Sequence, residues 1–193
     1  MTTQPTPDRI LDAALKLISE KGYTAATTKA IAELAGVNEV TIFRHFGNKR
    51  GVLKAIVATF SYSPLLKEML QKDVTWELET DLFHFSMEYF RYMMSIKDFV
   101  MISFKEAIQF PEIDEEIANV PLIIKRELME YFSKMKDRGK LADTNIEATA
   151  MAFIALNFGF FISRARLGSS VSQLSIEDLL QTSTSIFSRG ITP

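Results

Sequence analysis

A chain of 193 residues, 47% of them hydrophobic, carries enough apolar material for a packed core, which excludes wholesale disorder. It has no Cys, so neither a disulfide framework nor thiolate chemistry is available, and its two His give little scope for metal or acid–base catalysis. The net charge of −2 is uneven: residues 1–50 hold seven Lys/Arg against five Asp/Glu, a balance of +2 that leaves −4 for the remainder, as suits a protein that meets a polyanion through one end.

The start, MTTQPTPD, lacks the basic and apolar regions of a signal peptide, and no apolar run approaches the roughly 20 residues of a membrane span, so a cytoplasmic protein without a membrane partner is expected. Thr6 is placed to cap a first helix, with Pro7 and Asp8 in its first turn. Ile10, Leu11, Ala14, Leu15, Leu17 and Ile18 form its buried stripe, and Gly22 closes it.

Two short helices follow. Thr27 caps Thr28–Ala35, with Ile31, Leu34 and Ala35 facing inward; Gly36 breaks the helix, and Val37 plugs the turn. Asn38 caps Glu39–Phe46, which buries Ile42 and Phe46 and turns Glu39, Val40, Thr41, Arg44 and His45 outward. Two helices joined by a three-residue turn with an apolar plug describe a helix-turn-helix, and the exposed side of the second helix is the part shaped for a DNA major groove.

A fourth helix from Lys49 to about Tyr62 has Val52, Leu53, Ile56, Val57 and Phe60 inward and forms a lever into the rest of the chain. Ser63-Pro64 interrupts it, and a short helix and loop are expected over 65–75. Trp76–Ile96 is apolar nearly all round, with Phe83, Met87, Phe90 and Met94 as one stripe, which fits the centre of a bundle. Asp98 caps a helix over 99–109 that Pro111 ends; an acidic surface helix holds Glu112, Asp114, Glu115 and Glu116; Pro121–Arg138 is amphipathic and closes at Gly139. Thr144 and Glu147 read as a capping box for a helix to about Leu167, and Ser175 caps the last helix, Ile176–Arg189.

The runs RILDAALKLISEKGY, TKAIAELAGV and TIFRHFGNKRGVL, in that order, resemble the DNA-reading unit of the tetracycline-repressor (TetR) family of bacterial regulators. The resemblance covers about a quarter of the chain; beyond residue 60 it is one of helical layout and length. It implies an all-α protein of about nine helices: a three-helix helix-turn-helix DNA-binding domain over 5–65, with the motif at about 28–47, and a C-terminal ligand-binding and dimerisation domain over 66–193. It further implies a homodimeric transcription factor, usually a repressor, that leaves a palindromic double-stranded operator when a small molecule binds.

The candidate DNA-binding residues are Thr27, Thr28, Lys29, Asn38, Glu39, Val40, Thr41, Phe43, Arg44, His45 and Lys49. Under the resemblance Thr27, Thr41, His45 and Lys49 match positions that touch the DNA backbone, and Glu39 and Val40 match base readers. Two departures stand out. Phe43 replaces the family's usual Tyr and loses a hydroxyl for phosphate, and Glu39 can accept from cytosine N4 but repels phosphate.

The same resemblance argues for a cavity among the 13 Phe and eight Met that follow residue 50, with Phe60, Phe83, Met87, Phe90, Met94, Phe104, Phe132 and Phe158 as candidate contacts. His84 and Tyr89 are possible polar contacts, and few charges interrupt the stripes, so the expected effector is hydrophobic: a fatty acyl compound, drug or dye. Ala148, Ala152, Ala155 and Gly159 permit close helix approach, and Ile176, Leu179, Leu180, Ser183, Ile186 and Phe187 line the final helix; the resemblance implies a four-helix dimer contact through these last two helices, the alternative being that both complete the monomer core. No cofactor or metal is expected. The competing readings are a helical interaction adaptor without DNA binding and an enzyme acting on a hydrophobic substrate.

Overall fold

The computed structural model describes residues 5–61, 70–71 and 74–193, and the side chains of Phe60, Ser61 and Glu112 fall outside that description. Among the described residues every regular element is an α-helix: α1 (Thr6–Lys21), α2 (Thr28–Ala35), α3 (Glu39–Phe46), α4 (Lys49–Ser61), α5 (Leu78–Ser95), α6 (Lys97–Ala107), α7 (Pro111–Ile117), α8 (Asn119–Asp137), α9 (Ile146–Leu167) and α10 (Ile176–Ile191). The expected break at Ser63-Pro64 lies outside the described residues, as does most of the short helix expected over 65–75.

The helices sort into two compact units, and the division is not a single cut in sequence. One unit, the head, joins α1–α4 to Lys97–Val120; the other, the body, holds α5 and the chain from Pro121 onward. The sequence reading assigned all of 66–193 to one domain, whereas α6 and α7 cluster with the helix-turn-helix. Amphipathic spacing identifies which face of a helix is buried but not which core receives it.

The head core is built from Ile10, Ala14 and Ile18 of α1, Ile31 of α2, Ile42 of α3, and Val52, Leu53 and Ile56 of α4, joined by Phe99, Ala107 and Ile113. Local signals behave simply here. Thr27 caps α2 by accepting from the Ala30 N–H at 3.1 Å, and Asn38 caps α3 by accepting from Val40 N at 3.0 Å. Gly36 ends α2 in the left-handed conformation at φ 65°, and the Val37 N–H turns back to the Ala32 carbonyl. Two expectations fail. Leu34 is 47% exposed rather than inward, because an eight-residue helix against a small partner covers only a narrow stripe. Thr6 is the first residue of α1, not its cap; Pro5 holds that position without a side-chain hydrogen bond.

In the body, α5 buries Leu78, Leu82, Phe85, Tyr89 and Met93, while the expected stripe of Phe83, Met87, Phe90 and Met94 is only half-buried. A helix apolar on all sides gives periodicity no face to choose. Phe85 meets Phe153 of α9 with ring centroids 5.9 Å apart, and Phe153 meets Phe187 of α10 at 5.1 Å. Leu128, Tyr131, Phe132 and Met135 of α8 are buried, and Leu180, Thr184 and Ser188 form the inner side of α10. The cap of α9 is Asn145, accepting from Ala148 N at 3.0 Å, rather than the Thr144–Glu147 box. Thr144 instead shares a hydrogen bond with the Thr149 hydroxyl, and Glu147 pairs with Lys125.

One polar node is buried where the chain enters α5. Asp81, 6% exposed, accepts from Thr75 N (2.9 Å), Thr75 Oγ1 (2.6 Å), Trp76 N (3.0 Å) and the Tyr131 hydroxyl (2.9 Å). These bonds hold Trp76 at φ 63°, a left-handed conformation rare for a residue with a bulky side chain. The Arg138 guanidinium lies 3.5 Å from the indole centroid, and Lys140 donates to the Trp76 carbonyl at 2.6 Å. Burial, and then the charge of Asp81, pushes the Tyr131 phenol well above its ordinary range, so it stays protonated and donating.

By length and mean hydropathy α9 reaches what a membrane span requires, although Glu147, Thr149 and Asn157 interrupt its apolar run. Only 28% of its apolar stretch is buried, and Ala148, Met151, Ala152, Ala155 and Gly159 are exposed along it.

Candidate nucleic-acid interface

The N-terminal ends of α2 and α3 carry most of the expected interface. Thr27, Lys29, Asn38, Val40, Phe43, Arg44 and His45 are exposed, and Thr28, Glu39 and Thr41 are half-buried at the same helix ends. Ile42, fully buried, is the main pin, and with Phe46 one turn on it fixes the inner side of an eight-residue helix whose other side projects. Val40 is 70% exposed and Phe43 47%, large apolar surfaces that a free-standing helix would normally cover. Phe46 is half-buried against the core, with the His45 ring tilted beside it at 6.1 Å.

Lys49 sits differently from the others. Its ammonium donates to the carbonyl of Tyr23 and lies 3.9 Å from the centre of the Tyr23 ring, with the Thr24 carbonyl 3.5 Å away. It therefore ties the first turn of α4 to the loop before α2, and its contribution to the interface includes holding that loop in place.

Several supports of this surface gave no sequence signal. The Tyr23 N–H donates to Glu106 Oε2 of α6 at 3.0 Å, and the Tyr23 ring meets Phe110 edge-on at 5.1 Å. Arg50 of α4 pairs with Glu115 and lies 3.8 Å from Glu116, both on α7. These partners stand 65 and 83 positions away in the chain, beyond any local pattern. Asn48 was legible in principle: its Oδ1 accepts from Gly51 N at 2.8 Å, the signature of a residue capping α4.

Of the expected effector contacts, Phe83, Met87, Phe90 and Met94 lie half-buried on α5, Phe132 is fully buried on α8, and Phe158 is half-buried on α9, all in the body. Phe104 does not join them; it belongs to α6 in the head and is 44% exposed. The side chain of Phe60 lies outside the described residues. His84 is exposed beside Phe83, and Tyr89 is buried and stacked on Phe85. No group of three or more His, Cys, Asp or Glu among the described residues is arranged to hold a metal ion.

Two family models match the chain: bacterial regulatory proteins of the tetR family over residues 10–56, and the C-terminal domain of AefR-like transcriptional repressors over residues 80–190. The HTH-type transcriptional regulator YvkB of Bacillus subtilis (strain 168) is 36% identical over 188 residues, covering 97% of this chain and 98% of its own length. The regulator UidR of Escherichia coli (strain K12) is 39% identical over 54 residues, 28% of each chain. Among solved structures, Salmonella enterica GusR superimposes with a TM-score of 0.77 at 20% identity over 97% of this chain and 98% of its own. The flavonoid-responsive regulator FrrA does so at 0.73 and 22%, with 97% of each chain covered. A head that presents one short helix, two family models that together span most of the chain and a relative matched over nearly its whole length agree on one assignment: the chain belongs to the TetR family of DNA-binding transcriptional regulators, and it is a transcription factor rather than an enzyme.

Proposed function

We propose that the protein is a cytoplasmic homodimeric repressor that binds a palindromic operator and leaves it when a hydrophobic small molecule enters the body. The observation that carries the reading is the solvent-facing side of α3, where Val40, Phe43, Arg44 and His45 project from a helix held to the core by Ile42 and Phe46. Arg44 and Lys29 supply charge for guanine or phosphate, and the capped end of α2 at Thr27 and Thr28 offers N–H groups to a phosphate. Two such helices about 34–36 Å apart read successive major-groove faces of a two-fold site.

Dimerisation is supported by α9, whose exposed Ala148, Met151, Ala152, Ala155 and Gly159 form an apolar strip that a second copy of the helix covers closely. Repression is supported by the match to AefR-like repressors. A hydrophobic effector is supported by the half-buried Phe83, Met87, Phe90, Met94 and Phe158 of the body, and FrrA, which shares the fold, is described as flavonoid-responsive. An effector acts only by binding the released geometry more tightly than the DNA-bound one. The chain itself links the two units, passing from body to head at Ile96–Lys97 and back at Val120–Pro121.

The reading is tested by titrating the intact protein against operator DNA at several salt concentrations. Arg44→Ala is expected to weaken binding by about 1–3 kcal/mol per half-site, and Lys29→Ala to reduce the salt slope by about 1 per subunit. Wild-type affinity in both variants would contradict an interface built on α2 and α3.

A further inference from the structure

Thr28 and Glu39 open two different helices, yet their side chains meet. The Thr28 hydroxyl donates to Glu39 Oε1 at 2.6 Å, and both residues are half-buried. The carboxylate thus lies at the positive ends of both α2 and α3, which favours an anion there although the helices face a polyanion. A glutamate side chain free in solution samples many rotamers; one anchored through Oε1 presents Oε2 in a restricted direction, at lower ordering cost when it binds.

We propose that Thr28 is a positioning residue, which holds Glu39 as a reader of one cytosine in each operator half-site. The proposal rests on the reading of α3 as the groove-entering helix. An ionised carboxylate only accepts hydrogen bonds. In the major groove guanine offers it two acceptors and thymine an acceptor and a methyl group, so both leave it unpaired. Cytosine sets only its C5–H on the outer side of the N4 amine, whereas adenine sets N7 there, against the carboxylate; on the inner side both amines have an acceptor of the paired base. With one oxygen held by Thr28, Glu39 gives up that hydrogen bond if it swings to solvent to avoid a mismatched base. Val40 is 70% exposed on the next position and adds an apolar contact that does not compete for the same donor.

The test is selection of bound duplexes from a randomised pool by the full-length protein, followed by competition binding with single base-pair changes at each half-site position. One position and its symmetry mate should prefer C·G over T·A by roughly tenfold per half-site, the scale of a single base-edge contact. Glu39→Gln should move that preference toward adenine, which Gln can meet at N6 and N7. Thr28→Val should reduce the C·G/T·A ratio to threefold or less, and Thr28→Ser, which restores the hydroxyl, should recover it. The proposal is overturned if no position prefers cytosine, if Glu39→Gln leaves every base preference unchanged, or if Thr28→Val retains the full ratio. A wild-type protein that enriches no sequence at all would instead remove the DNA-reading function on which the proposal rests.

Discussion

Replacing Gly51 by Ala should abolish specific DNA binding although residue 51 need not touch DNA. Gly51 lies in the first turn of α4, where a Cβ built on its backbone overlaps the carbonyl oxygen of Phe46, the last residue of α3. Between the two helices the chain turns at Gly47, φ 76°, and Asn48 then caps α4 through Gly51 N. An added methyl group therefore has no flexible side chain to displace; α3 or the start of α4 must move. Overpacking of this kind costs about 1–3 kcal/mol, and more where backbone is the obstacle. If α3 reads DNA as proposed, the α3–α4 junction sets how it projects, and that energy appears in DNA affinity as a tenfold to hundredfold loss or more for each bound subunit. Gly190→Ala is the control: its new methyl group would meet no atom within 4 Å, and the change should be neutral within about 0.5 kcal/mol. Parallel affinity measurements on the two variants check the prediction; equal binding would mean that the α3–α4 junction does not hold the reading helix.

The second large effect is expected at Asp81. Removing its carboxylate in Asp81→Ala strands the Tyr131 hydroxyl and the N–H groups of Thr75 and Trp76, and releases the strained turn at Trp76. The Tyr131 hydroxyl is stranded in the interior at about 1–3 kcal/mol, and the less buried N–H groups of Thr75 and Trp76 lose their partner at a smaller cost, so a loss of roughly 2–4 kcal/mol follows once partial relaxation is allowed. Tyr131→Phe removes one partner only and should cost about 1 kcal/mol. Thermal or urea unfolding of the two variants measures both. A loss below about 1 kcal/mol for Asp81→Ala would mean that water replaces the carboxylate and that the node does not hold the entry to α5.

How far these features could be read beforehand depended on the range of the forces involved. Thr27, Gly36, Asn38 and Ser175 act on backbone groups within three or four residues of themselves, and each was legible as a cap or stop. On α3 the exposure of Val40, Arg44 and His45 was legible from the i,i+4 pair of Ile42 and Phe46 on the inner side, whereas Glu39 and Thr41, expected outward, are half-buried. Alternation failed on α5, where Phe83 and Phe85 are equally apolar and only contact with Phe153 selects the second. It failed at Asn145 because two adequate capping residues stand side by side, and geometry selected the later one. The assignment of α6 and α7 to the head rests on Phe99, Glu106, Phe110 and Ile113 finding partners far away in the chain. Lys49 is the instructive case in the interface, since a basic residue opening a helix reads as a phosphate contact, yet its ammonium is seated on the Tyr23 carbonyl and ring.

Whether α3 reads DNA once in each of two subunits is decided by footprinting the selected operator at known protein stoichiometry. Two protein subunits are expected on one palindrome, with protected major-groove faces one helical turn, about 34–36 Å, apart. A single subunit bound to a single unrepeated site, or protection confined to one face, would contradict that arrangement.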